Sequence, residues 1–182
     1  MQVMTTLPQE NLNDVPQAAR NAEMVGFDMV ATMENRYEPF MPLAAAAIST
    51  KTINIGTAVA IAFPRSPMVV ASTCWDLNNA SGGRFVLGLG PQIKPHNEKR
   101  FSVPWSPPAP RIREYVMALR AIWKNWEHGE KLDFRGEHYT FTLMTPNFVP
   151  VSTHQAPIPV TIAAVGPHTL KLAGEVCDGV RL

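Results

Sequence analysis

Residues 84–89, RFVLGL, carry no polar alternation, and the run then opens abruptly onto Gly90, Pro91, Gln92, Lys94, His96 and Asn97. A strand with one wet face alternates apolar and polar side chains. A strand without alternation is covered on both faces, as in a parallel sheet sandwiched between helices. Val160-Thr161-Ile162 has the same character. These apolar rods with polar tips constrain the chain more than any other feature, because parallel strands need long crossovers, usually helices, between them.

The rest of the chain supplies those crossovers. A strand over residues 1–6 precedes a helix with Asn13 as its cap and Pro16 in its first turn. Val15, Ala18, Ala19, Ala22 and Val25 share one face of that helix, and Gly26 ends it. Strands follow at residues 27–32, 53–60, 84–89 and 159–164, and a last one starts at Asp178. Helices fill residues 42–50, 67–80 and 167–176. After Leu89 the rhythm breaks. A proline-rich loop holding Trp105, a helix striped by Ile112, Val116, Leu119, Trp123 and Trp126, a hairpin over 132–141 and coil over 146–157 intervene. The order is βαβαβαβ, an insertion of about residues 91–157, then βαβ, in a single domain over 1–182. A closed eight-stranded barrel typically takes about 250 residues, and this chain has 182. The pattern therefore fits either an open doubly wound sheet or a barrel lacking its last third.

Charge and motifs exclude several classes. A net charge of +1 gives no strong pull toward nucleic acid or anionic lipid. The longest uncharged apolar run, residues 40–50, is too short to span a membrane, and the N-terminus lacks a basic-then-apolar leader. Cys74 and Cys177 fall in helical patterns and read as reduced thiols of a cytoplasmic protein. From Gly88 the glycine spacing gives G-x-G-x-x-K, so a dinucleotide fingerprint lacks its third glycine. The five histidines, 96, 128, 138, 154 and 168, show no metal-ligand spacing, and His128 and His138 read as surface residues. Lys94, Lys99, Arg100, Arg111 and Arg113 make a mildly basic stretch suited to solvent or a small anion.

Six segments in register resemble the bacterial luciferase-like superfamily, and within it the branch of oxidoreductases dependent on the deazaflavin coenzyme F420. They are Glu34 after the second strand, GTAVAIAFPRSP (56–67), SGGRFVLGLG (81–90), REYVMALRAIW (113–123), FRGEHY (134–139) and AAVGPHTLKLAGEVCDGV (163–180). The resemblance implies a (β/α)8 TIM-type barrel, here C-terminally incomplete with five to six βα units. It also implies an insertion after the fourth strand and a cofactor lying across the strand C-termini.

Residue by residue, the resemblance implies a non-prolyl cis peptide at Ala58-Val59, pressing behind the cofactor ring. It implies that Glu34 lies near ring or substrate as a carboxylate able to move protons, with Asn35 where several relatives have a catalytic histidine. Pro91 and Gln92 would touch the ring's polar edge, although Pro91 offers no N–H. His96 or Asn97 would meet the cofactor. Ala164, Val165, Gly166 and Pro167 would bring a phosphate-bearing tail to a helix N-terminus. Glu34 and His96 are thus the candidate catalytic residues.

Three functions follow as expectations. One is hydride transfer between F420 and a small organic substrate; another is an FMN-dependent monooxygenase on the same barrel. The last is a non-catalytic or truncated fragment that associates through open sheet edges, forming a homo-oligomer.

Overall fold

A computed structural model of the chain describes residues 3–151 and 157–181. Met1 and Gln2 of the expected first strand, residues 152–156 of the expected coil (His154 among them) and Leu182 lie outside the described residues. The elements run β1 (Met4–Thr6), a 3-10 turn (Leu12–Asp14), α1 (Val15–Val25), β2 (Met29–Thr32), α2 (Phe40–Ser49), β3 (Asn54–Thr57), β4 (Ala60–Ile61) and α3 (Pro67–Ser81). They continue with β5 (Phe85–Gly90), a π-helical turn (His96–Arg100), α4 (Pro108–His128), β6 (Phe134–Arg135), β7 (Thr140–Phe141), a 3-10 turn (Pro146–Phe148), β8 (Val160–Ala163), α5 (Pro167–Val176) and β9 (Gly179–Arg181).

Every pairing in the main sheet is parallel, in the order β1-β2-β3-β5-β8-β9, with β4 also on β5; β6 and β7 form a separate antiparallel hairpin. The sheet is curled. Arg181 on β9 crosses its concave face to the sulfurs of Met4 on β1 (3.4 Å) and Met29 on β2 (3.5 Å). An open doubly wound sheet has helices on both faces. Here Val30, Ile55, Phe85, Leu87, Leu89, Val160 and Ile162 bury against helical Leu43, Trp75, Leu119 and Ile122. The concave face carries small or polar Gly56, Gly88, Thr161 and Arg181. This is part of a barrel wall. Among the described residues no helix is long and apolar enough to cross a membrane.

Local chemistry moves several boundaries from those expected. The first helical cap is Asn11, whose Oδ1 accepts the Asn13 N–H at 3.1 Å, so a 3-10 turn precedes α1. Gly26, at φ 91°, closes α1 in the left-handed region. Ser66 caps α3 ahead of Pro67. The expected strand over 53–60 is broken between β3 and β4, and part of the expected coil after β5 winds into the π turn. His128 is exposed as expected, but His138 is half-buried against the Tyr139 ring. Cys74 and Cys177 are free, and burial pushes both thiols up, Cys177 to about 11.

The N-terminal rim of the strands is stapled by two side chains. Arg84 donates to the carbonyls of Ala47, Thr50, Ser81 and Ile53. Glu23 accepts the N–H groups of Lys51, Thr52 and Ile53 and the Thr52 hydroxyl at 2.6–3.0 Å. Burial pushes Glu23 up, but these hydrogen bonds outweigh it and hold its carboxyl at about 2, against 4.5 for a free glutamate. A folded value below the unfolded one stabilises the fold fully above pH 4.5, and the contribution is lost as pH falls toward 2. Glu23→Gln is therefore expected to be less stable than wild type at pH 6, with the gap closing between pH 4.5 and 2 in urea unfolding curves.

Candidate functional site

The break between β3 and β4 builds the site. β3 meets β5 as Ile55↔Phe85 and Gly56↔Val86, whereas β4 meets it as Ala60↔Leu89 and Ile61↔Gly90. Residues 57–59 thus face only residues 87 and 88, a one-residue bulge that ends regular pairing and re-aims the chain. Within it the Ala58-Val59 peptide is cis, as the resemblance implies. Thr57 replaces the missing ladder bonds. Its hydroxyl accepts the Gly88 N–H at 2.8 Å and donates to the Gly88 carbonyl at 2.6 Å. Thr57→Val keeps the shape but leaves both Gly88 groups buried without a partner. It is expected to lower stability by about 1–2 kcal/mol, read from the denaturant midpoint at unchanged slope.

Behind the bulge lies Glu34, on the loop leaving β2. Its N–H donates to the Val59 carbonyl at 3.3 Å. Its carboxylate accepts the Ile61 N–H at 2.7 Å and Arg65 Nη1 at 2.7 and 2.9 Å, with a side chain only 6% exposed. Arg65 also donates to the Ile61 carbonyl, reaches Glu38 at 3.4 Å and lies over the Phe40 ring. The carboxylate expected to move protons is thus paired with Arg65 and hydrogen-bonded to β4, just past the bulge. Arg65 lies in segment 56–67, but nothing in its spacing singles it out from the other loop arginines.

At the end of β5, Gly90 gives way to Pro91 and to Gln92, which sits at φ 59° with its Oε1 accepting the Ile93 N–H. The following turn is clamped by Asn97, fully buried, whose Nδ2 donates to the carbonyls of Pro91 and Ile93. Successive residues of a helical turn point in clearly different directions. With Asn97 turned inward, His96 is exposed and lies outside the cleft's lining. A catalytic His96 finds no support in this placement, and the amide beside it serves the loop's own structure.

After β8, strand alternation sends Ala163 to the concave side and Ala164 into the helical layer, where Ala164 is buried and bonded to the Arg181 carbonyl. Ala163 lines the cleft at the strand ends, and Ala164 lies outside that lining. Val165 is 90% exposed. Gly166 and Pro167 start α5 without a side-chain cap, so the first N–H groups of the helix are free of one.

These pieces converge. Glu34, Ala58, Val59, Pro91 and Gln92 line one cleft of about 380 Å³ at the C-terminal ends of the strands, together with Met33, Asn35, Ile61, Gly90 and Ala163. Gly166 and Pro167 are not in its lining. Val165 lines a smaller cavity of about 190 Å³ that shares Pro91 and Ala163 with the cleft. The cleft's floor is apolar and its rim carries a carboxylate and two amides, the composition of a site for a flat ring with polar edges. A larger hollow of about 570 Å³ lies elsewhere, between α4, the hairpin and α5. Little of the basic stretch is free to draw an anion. Arg100 donates to the Asn35 carbonyl at 2.8 Å, Arg111 lies over Phe63, Arg113 pairs with Glu175 and Lys94 approaches Glu98 at 3.9 Å.

The sequence matches the luciferase-like monooxygenase family over residues 1–182, and the chain belongs to that family. It is 52% identical over 163 residues to an uncharacterized protein of Mycobacterium tuberculosis, covering 89% of this chain and 48% of that one. It is 32% identical over 178 residues to a 5,10-methylenetetrahydromethanopterin reductase of Archaeoglobus fulgidus, covering 97% and 51%. Among solved structures it is similar to the coenzyme F420-dependent tetrahydromethanopterin reductase of Methanopyrus kandleri, with a TM-score of 0.78, 26% identity, and coverage of 98% and 55%. The chain spans about half the length of the curated relatives it matches.

Proposed function

We propose that this chain forms the cofactor-bearing part of an oxidoreductase that passes hydride between F420 and a small organic substrate. The observation that carries the reading is the convergence of Val59, Gln92, Glu34 and Ala163 on one cleft at the strand C-termini, where barrel enzymes keep their sites. The relatives named for F420 support the choice of cofactor.

In this reading the deazaflavin, when bound, would carry the hydride chemistry in either direction, and the protein supplies orientation and electrostatics. Ala58 and Val59 form the wall behind the ring. Pro91 and Gln92 hold its polar edge. Glu34, fixed by Arg65, keeps the bulge in place and is a positioning residue. The start of α5 at Gly166 and Pro167 receives the tail phosphate, since free N–H groups at a helix N-terminus favour an anion. Residues 91–157 form an insertion within a single barrel domain. The edges β1 and β9, each paired on one side among the described residues, are where further strands or a second copy associate.

Titrating the purified chain with F420 and, separately, with FMN tests this. Saturable changes in absorbance with F420, and weaker or no change with FMN, are expected. Tight FMN binding with no response to F420 would replace the reading with the flavin monooxygenase alternative.

A further inference from the structure

Beyond Pro91 and Gln92 the insertion does not line the cleft, yet it grips the loop behind it. β4 ends at Ile61, which lines the cleft, and α3 begins at Pro67. Two side chains of α4 close on the loop between them. Tyr115, fully buried, donates from its hydroxyl to the Arg65 carbonyl at 3.1 Å. Arg111 lays its guanidinium over the Phe63 ring, 4.4 Å from the ring centre. Arg111 is itself held, donating from Nε to the Tyr139 hydroxyl and from Nη1 to the Pro104 carbonyl, both at 3.1 Å. Tyr139 meets the Tyr115 ring edge-on, with 5.5 Å between centroids. Glu114 fastens the hairpin that carries Tyr139. Its carboxylate accepts the N–H groups of Glu137, His138 and Tyr139 at 2.6–3.1 Å, and a Cβ on Gly136 would overlap it. On its other side the loop holds the cleft. The Arg65 side chain donates to Glu34 and to the Ile61 carbonyl, and the Ala62 N–H donates to the Gly90 carbonyl at 2.9 Å. Glu34, Ile61 and Gly90 all line the cleft.

We propose that Tyr115 and Arg111, neither of which lines the cleft, are positioning residues that set its β4 wall by holding residues 62–66 against α4. Their part in binding a cofactor ring rests on the reading above. Arg65 is held twice, by its carbonyl from Tyr115 and by its guanidinium from Glu34. Freeing the carbonyl lets the loop turn, and Glu34 and the Ile61 N–H that bonds to it then follow the guanidinium. A binding geometry is kept by side chains whose own placement is locked by packing and hydrogen bonds. Such a role differs from plain packing in its coupling: residues that act through one contact chain lose less together than apart.

Tyr115→Phe keeps the ring and removes one hydroxyl. In the isotope-labelled chain without cofactor, it is expected to shift the backbone amide signals of Glu34 and Ile61. Trp123→Phe is the control, because Trp123 Nε1 also donates from α4 to a carbonyl of α3, that of Ala71 at 3.2 Å, away from the loop. It is expected to lower the urea midpoint and leave those two signals in place. F420 is expected to bind Tyr115→Phe about fivefold more weakly, the equivalent of one neutral hydrogen bond, and Trp123→Phe as it binds wild type. The midpoint losses of Tyr115→Phe and Glu34→Gln should fall short of their sum in the double variant, whereas those of Trp123→Phe and Glu34→Gln should add. Arg111→Met, which keeps bulk over Phe63 without the charge, is expected to move the same two signals and decides the matter if Tyr115→Phe does not fold. Unmoved Glu34 and Ile61 signals, equal movement in Trp123→Phe, or F420 bound equally by wild type and Tyr115→Phe would overturn the proposal. Signals that move in Tyr115→Phe, in a chain that ignores F420, would keep the positioning role and sink the cofactor reading alone.

Discussion

Replacing Gly88 by alanine is expected to destabilise the chain by about 3 kcal/mol, the upper range for forcing atoms into a packed site. A Cβ there would stand 2.1 Å from the Thr57 carbonyl oxygen and 3.0 Å from Arg181 Nε. The first contact is backbone, held by the bulge and by Thr57's two bonds to Gly88 itself, so a side-chain rotation cannot relieve it. Relief requires β3 and β5 to part at the level where the cleft begins. The variant should therefore show a lower urea midpoint and, where it remains folded, weaker cofactor binding. Gly166→Ala is the control. Its φ of −107° suits any residue and a Cβ would meet nothing within 4 Å, so its stability should match wild type. If Gly88→Ala unfolds at the wild-type midpoint, the tight β3–β5 approach does not describe this sheet.

Gly88 also shows which demands a local sequence pattern leaves unseen. The apolar run around it is legible as a two-face-covered strand, because hydrophobicity without alternation has few other solutions. The βα order, the hairpin and the start of α5 are legible for the same kind of local reason. Glycine's role at 88 is not, because the demand comes from a carbonyl thirty-one positions away whose place depends on the bulge. The bulge itself is legible only through family resemblance, since nothing in Ala58-Val59 signals a cis peptide. Of the expected site positions, those after β2, in the bulge and after β5 line one cleft. Ala164 and His96 lie outside the cleft's lining, whereas their neighbours Ala163 and Asn97 turn to the cleft and to the loop's own interior. Period-two and helical alternation decide such neighbours, and an element boundary wrong by one residue reverses the answer. Arg65 is hidden from local pattern for a different reason. Its ion pair joins loops thirty-one residues apart, a contact no local pattern encodes.

That pair is the basis of the second large effect. Glu34→Gln is expected to cost about 2–3 kcal/mol, somewhat below the range for breaking a fully buried pair, because Arg65 is 21% exposed and keeps Glu38 at 3.4 Å. Glutamine can accept from the Ile61 N–H or from Arg65, but it leaves the guanidinium facing an amide in a largely dry site. Glu38→Gln should cost under about 1 kcal/mol, since that pair is longer and its carboxylate is 44% exposed. The double variant Glu34→Gln/Arg65→Met separates charge from packing. If the pair anchors the bulge, the double should lose less than the sum of the single variants, with a coupling of at least about 1 kcal/mol. A Glu34→Gln midpoint equal to wild type, with no coupling in the cycle, would show that the carboxylate does not hold the bulge. Its burial behind Val59 would then need a role in the reaction itself.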